Sequence, residues 1–249
     1  MIETEHLTKQ FGPLTAVNDL NLRIEQGEFF AFLGPNAAGK TTTIKLLAGL
    51  LRPTSGRAII GGYDIQQEPT RARRLISYVP DFPFLYDKLQ PMEFMLLVGQ
   101  LYGMTRAEIL RASQELFDLL DLDEARHNLI ETLSHGTRQR VAIASALLHN
   151  PKVIIIDEPM VGLDPRSVRV VKDMLKARAR AGVTVFLSTH ILHVAEELAD
   201  RIGILNRGRL IAIGTMGELR EASGELGALE DAFLALTREE QREEAAESA

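Results

Sequence analysis

Four groups of residues in this chain have the types and spacing to do chemistry. The first is Gly34-Pro35-Asn36-Ala37-Ala38-Gly39-Lys40-Thr41-Thr42, a glycine-rich stretch closing on a lysine and hydroxyls. Gly34 and Gly39 let the backbone curl, so that consecutive N–H groups point into one concavity that suits an anion. Lys40 supplies a point charge for the outer phosphates of a nucleotide, and the Thr41 hydroxyl is an oxygen ligand suited to Mg²⁺. The second group is Asp157-Glu158 at the end of an apolar run. The first carboxylate suits a divalent cation, held through water, and the second can take a proton from an attacking water. The plainer alternative is a capping or turn pair before Pro159; a phosphate loop upstream favours catalysis. The third is His190, a candidate donor to a γ-phosphate, although such a residue taken alone is more often a satisfied or capping histidine. The fourth is Leu133-Ser134-His135-Gly136-Thr137, where serine and glycine open a long helical pattern. A serine oxygen, unpaired N–H groups and the positive helix end together make a second anion site. One nucleotide already has its loop, so the second site suggests a grip on a nucleotide held by another copy.

These residues must be positioned by a framework, and the hydropathy pattern supplies one. Phe29-Phe30-Ala31-Phe32-Leu33 predicts a buried strand before the glycine loop, and Thr43 to Leu50 is apolar at helical spacing after it. Strand, glycine loop and helix is the context in which the motif signifies phosphate binding. Residues 2–10 and 19–26 predict two half-exposed strands, on the alternation of Ile2 to Leu7 and Leu20 to Ile24, linked through Gly12-Pro13. Phe11, just before that turn, is either a stacking surface for a purine or a core or edge aromatic. Further short strands are expected at Ala58–Gly62 and Ile76–Val79, with a helix from Glu68 to Leu75. No strand pattern occurs between Pro83 and Asn150. Helices are predicted at Met92–Tyr102, Arg106–Leu120 and Arg138–His149, an all-helical insert in an α/β domain. Alternation resumes with the continuous apolar run Val153–Ile156, as expected of a central parallel strand. Asp157 and Glu158 stand at its C-terminal end, where doubly wound sheets bind ligands. A helix from Pro165 to Ala181, a strand from Val183 to Leu187, a helix from Ile191 to Ala199 and strands at Arg201–Asn206 and Arg209–Ile213 complete the pattern. Glu218–Ala222 and Leu229–Thr237 read as helical, and residues 238–249 as a charged, frayed tail.

Composition narrows the function classes. The 249 residues are 45% hydrophobic and 25% charged, with formal net charge −6. That balance argues against nucleic acid as the main partner. There is no cysteine, so disulfides and thiolate metal sites are excluded. The charged N-terminus lacks the apolar core of a secretory signal, and no run approaches 18 apolar residues, so no spanning helix is expected.

In their order along residues 2–237, the motifs resemble those of the ATP-binding subunit of ATP-binding-cassette (ABC) transporters, bacterial exporter type. GPNAAGKT resembles the Walker A motif, VIIIDEP Walker B, LSHGT the signature motif and Gly162-Leu163-Asp164 the D-loop. The resemblance implies a P-loop NTPase core of mostly parallel sheet and helices, an N-terminal antiparallel β-subdomain and an inserted all-helical subdomain. The expected division is core 1–82 and 150–214, helical subdomain 83–149 and C-terminal helices 215–237. It also implies ATP and Mg²⁺ as cofactors and a head-to-tail pair of cassettes, homodimeric or heterodimeric. By this resemblance Gly34, Pro35, Asn36, Ala37, Ala38, Gly39, Lys40, Thr41 and Thr42 bind the nucleotide. Phe11 takes the adenine-stacking position, and Val17 is counted with it among the nucleotide contacts. Ser134, His135, Gly136 and Thr137 reach the nucleotide of the partner. Glu158 is the general base, His190 the switch histidine, and Thr41, Asp157 and Asp81 serve the metal.

Three departures from the family pattern stand out. Ala37 replaces the commoner glycine and is expected to require a negative φ. Asp81 stands at the usual glutamine of the Q-loop. His135 and Thr137 replace glycine and glutamine in the signature, leaving Ser134 and Gly136 as the expected phosphate contacts.

Two functions follow from the resemblance. One is an ATPase on the cytoplasmic side of the membrane, powering a separate permease that docks near the aromatic loop Phe82–Tyr86. Glu230–Thr237 resembles the ending of exporter-type cassettes, which favours export. The other is a cassette ATPase that regulates or assembles a membrane or cofactor complex without transport. Relatives that act on DNA or ribosomes fit poorly: the interval between Walker A and the signature is short, and there is one set of motifs.

Overall fold

The computed structural model describes residues 1–222. In chain order the strands and helices are β1 (Ile2–Phe11), β2 (Leu14–Ile24), β3 (Phe29–Leu33), α1 (Lys40–Leu47), β4 (Ser55–Ile60), β5 (Tyr63–Asp64), α2 (Pro69–Arg74), β6 (Ile76–Val79), α3 (Pro91–Leu101), α4 (Arg106–Leu120), α5 (His135–Leu147), β7 (Val153–Asp157), α6 (Pro165–Arg180), β8 (Thr184–Thr189), α7 (Leu192–Leu198), β9 (Arg201–Asn206), β10 (Arg209–Gly214) and α8 (Met216–Ala222). The helix expected at Leu229–Thr237 and the tail 238–249 lie outside the described residues.

Two sheets form. A six-stranded sheet has the order β10-β9-β3-β8-β7-β6, parallel from β9 through β6, with β10 antiparallel at one edge. A four-stranded antiparallel sheet has the order β2-β1-β4-β5. The α/β class, the parallel core, the antiparallel N-terminal sheet and the strandless helical stretch α3–α5 therefore match the sequence expectation.

Every residue of β3, β7 and β8 is buried, which is why these strands are continuous apolar runs. Phe30, Phe32 and Phe186 pack their rings together, with centroids 5.3–6.3 Å apart. The parallel register sets Leu33 beside Thr189, and Asp157 beside Ser188. The C-terminal ends of β3, β7 and β8 thus deliver the glycine loop, the acidic pair and His190 to one edge of the sheet.

Some boundaries moved. β1 and β2 run further towards each other than expected, pairing as far as Phe11 opposite Leu14, so Gly12-Pro13 is only a hairpin turn. Helix α5 starts at His135 rather than Arg138, because Ser134 caps it by accepting a hydrogen bond from the Thr137 N–H at 3.2 Å. Helix α4 matches its expected span, fixed by a reciprocal Thr105/Glu108 capping box.

Candidate active site

The glycine loop joins β3 to α1 and is pressed between two neighbours. A Cβ on Gly34 would collide with the Leu205 carbonyl oxygen, and one on Gly39 with that of Ala16. Gly39 also has φ +106°, a conformation that only glycine adopts freely. Ala37 corrects the sequence expectation. Its φ is +65°, not negative. An alternation of right- and left-handed residues is what aims successive N–H groups at an anion, and here an alanine bears the left-handed cost, about 1–2 kcal/mol. Lys40 is buried and lies back across the loop, its Nζ donating to the carbonyls of Gly34 (2.6 Å) and Pro35 (3.0 Å). Burial holds its ammonium below the usual lysine range, with Glu158 and Asp157 acting in the opposite sense.

Asp157 ends β7 and is almost fully buried. The Thr41 hydroxyl donates to its Oδ2 at 3.1 Å. Burial pushes the Asp157 carboxyl up; the Thr41 hydrogen bond offsets part of this. These two oxygens suit a hard divalent cation that draws its other ligands from phosphate and water. Among the described residues no group of three His, Asp or Glu side chains could hold a metal alone.

Glu158 has φ +46°. Its Oε1 accepts from the His190 N–H (2.8 Å) and lies 2.7 Å from His190 Nδ1, while Oε2 accepts from the Thr189 hydroxyl (3.0 Å). His190 follows β8 directly, and α7 starts at Leu192, one residue later than expected, leaving the His190 ring more than half exposed beside the carboxylate.

These groups surround one cavity of about 800 Å³. Its walls include Asn36 to Thr42, Asp157, Glu158 and His190, together with Phe11 and Asp81. Phe11 is half exposed, and the Lys9 ammonium sits 5.0 Å from its ring centroid. Asp81 is pushed up by partial burial and by Glu158, while His135 and His190 pull it down. Val17 must be corrected as a nucleotide contact: it is fully buried in the core. The neighbouring Ala16 lines the cavity, with Leu14 and Thr15. The strand alternation of β2 turns Val17 inward. Val161, Arg207 and Gly208 also line the cavity and had no motif to announce them.

Ser134 to Thr137 do not line this cavity. Ser134 and His135 are exposed at the start of α5. The His135 ring rests on Gly162, which has φ +76° and has no room for a Cβ. In the aromatic loop Phe84 is 93% exposed, whereas the Tyr86 ring lies against Phe94, with centroids 6.1 Å apart.

The ABC transporter family profile matches residues 17–161. The chain belongs to that family. It is 41% identical over 223 residues to the daunorubicin/doxorubicin resistance ATP-binding protein DrrA of Streptomyces peucetius, covering 90% of this chain and 68% of that one. It is 38% identical to the linearmycin resistance ATP-binding protein LnrL of Bacillus subtilis, covering 88% and 70%. A solved ATP-binding subunit of an ABC transporter superposes with a TM-score of 0.90 at 33% identity, covering 95% of this chain and 99% of that chain. The dimeric cassette MJ0796, solved in a post-hydrolysis state with ADP and Pi, superposes with a TM-score of 0.79 at 30% identity over 86% of this chain and 98% of that one. The protein is thus an ABC ATP-binding subunit that hydrolyses ATP.

Proposed function

We propose that this subunit pairs head to tail with a second cassette around two ATP and powers a separate membrane permease for export. The observation that carries the pairing is the placement of Ser134: it caps an exposed helix start that does not line the chain's own phosphate cavity. An anion site of that kind has its use on a neighbour's γ-phosphate. The drug-resistance names of the relatives support export. In this reading Lys40 and the loop N–H groups hold the phosphates and Phe11 stacks on adenine. Thr41 and Asp157 would hold Mg²⁺, with Asp81 close enough to assist. Mg²⁺, when bound, offsets the charge of the outer phosphates. Glu158 accepts the proton of the attacking water, and His190 orients it. Residues 1–82 and 150–214 act as the catalytic core and 83–149 as the helical subdomain. The exposed Phe82 and Phe84 offer the permease an apolar contact on the cytoplasmic face of the membrane; among the described residues no helix is long and apolar enough to cross one.

Light scattering tests the pairing. ATP should convert Glu158→Gln to a dimer, and adding Ser134→Arg should prevent it. Co-purification of the tagged protein from membranes should bring an integral subunit, and Phe84→Asp should release it. A Glu158→Gln protein that stays monomeric with ATP even beside its membrane subunit would refute the composite site.

A further inference from the structure

The turn between β9 and β10, Arg207-Gly208, forms part of the cavity wall next to Ala16 and Ala38. It is fixed there from both sides. The Gly208 N–H donates to the Ala38 carbonyl at 2.8 Å, and the Asn18 N–H donates to the Gly208 carbonyl at 2.8 Å. Gly208 has φ +83°, and a Cβ there would lie 3.0 Å from the Ala16 carbonyl oxygen. The turn is therefore bolted between β2 and the first half of the phosphate loop. Its other residue, Arg207, also has a left-handed backbone, φ +43°. Such a position favours glycine or asparagine, and a long side chain there stores strain. What the side chain brings is a permanent cation on the wall of a cavity that also carries three carboxylates, Asp81, Asp157 and Glu158, and the buried ammonium of Lys40.

The turn's own contacts bear on which part of a nucleotide it meets. Gly208 is tied to Ala38 of the loop that leads into Lys40 and Thr41, and lies against Ala16 of β2, the strand that begins at Leu14 opposite Phe11. Phe11, Leu14, Lys40, Thr41 and Arg207 all line the same cavity. We propose that Arg207 is a nucleotide-binding residue whose guanidinium contacts the α-phosphate of the bound nucleotide, linking the base platform to the phosphate loop. This rests on the assignment of the cavity to ATP. A planar guanidinium is suited to phosphate oxygens and keeps its charge at every working pH.

Calorimetric titration with ADP tests this on the full-length protein. Arg207→Gln and Arg207→Gly should each weaken ADP binding about tenfold, the scale of one lost charge-assisted hydrogen bond. Arg207→Lys should retain more affinity than Arg207→Gln, and the salt dependence of ADP binding should flatten in Arg207→Gln. Arg207→Gly suits the left-handed backbone, so its Tm without nucleotide should match or exceed that of the parent, which separates lost binding from lost structure. Gln and Gly variants that bind ADP within twofold of the parent would overturn the proposal, as would a Lys variant no better than Gln. A parent protein that binds no ADP would instead overturn the assignment of the cavity.

Discussion

Glu158 and His190 share two contacts: Glu158 Oε1 accepts from the His190 backbone N–H at 2.8 Å and sits 2.7 Å from the ring Nδ1. The pair joins the ends of β7 and β8, so the two parallel strands set its geometry. The left-handed backbone of Glu158 turns its side chain towards β8, where the Thr189 hydroxyl holds the second oxygen at 3.0 Å.

Glu158→Gln keeps the shape and removes the proposed base. Turnover should fall by roughly 10²–10⁴-fold while ATP binding survives, measured by phosphate release and by calorimetry. A mutant that hydrolyses ATP at the parental rate would remove Glu158 from the mechanism.

Glycine at 39 and alanine at 37 make a contrasting pair. Gly39→Ala adds a Cβ that collides with the Ala16 carbonyl at φ +106°. The loss should be on the order of 3 kcal/mol, a fall in Tm of roughly 10 °C, with nucleotide binding lost. Ala37→Gly relieves a left-handed alanine but loosens the unfolded chain, so stability should change by less than about 1 kcal/mol. Thermal melts with and without ADP distinguish the two.

Asp81 places a third carboxylate on a wall that already holds Asp157 and Glu158. Asp81→Gln restores the residue type expected at that motif position. Without metal, ADP should then bind roughly fivefold more tightly, because one repulsive charge is gone, about 1 kcal/mol in water-like surroundings. If Asp81 helps hold Mg²⁺, the Mg²⁺ concentration for half-maximal ATPase activity should rise in the same variant. Titrations in EDTA and across Mg²⁺ concentrations read the two effects separately.

The sequence was most legible where one physical demand acts alone. Phe29–Leu33 has only to be buried, and Arg106–Leu120 carries an uninterrupted helical pattern, so both were read at their observed limits. Legibility failed where tertiary pairing chose among local options. Val17 and Ala16 are adjacent, and only the register of β2 against β1, interrupted by irregularities near Leu7 and Lys9, decides which faces the cavity. The positive φ of Ala37 is imposed by the loop's fit between β2 and β9, and nothing local to alanine announces it. Arg207 and Gly208 reach the cavity because β9 lies beside β3 in the sheet, more than 150 residues further along the chain.

His149 supplies a prediction about pH. It follows α5 and stacks on Tyr102 at the end of α3, with ring centroids 3.6 Å apart and planes 10° from parallel. Its Nε2 lies 3.2 Å from the Ile76 carbonyl, where it must donate, and its Nδ1 is buried without a partner. Burial holds its pKa below the ordinary 6.5, and the Ile76 contact opposes this only in part. The folded protein therefore prefers the neutral ring more strongly than the unfolded chain does. That stability is fully present above pH 6.5 and is lost as pH falls through the lower folded value. Melts between pH 7.5 and 5 should show Tm declining with acid, and the decline should be shallower in His149→Phe, which keeps an aromatic ring against Tyr102 but cannot take a proton. Equal slopes in the two proteins would assign the acid sensitivity to other groups.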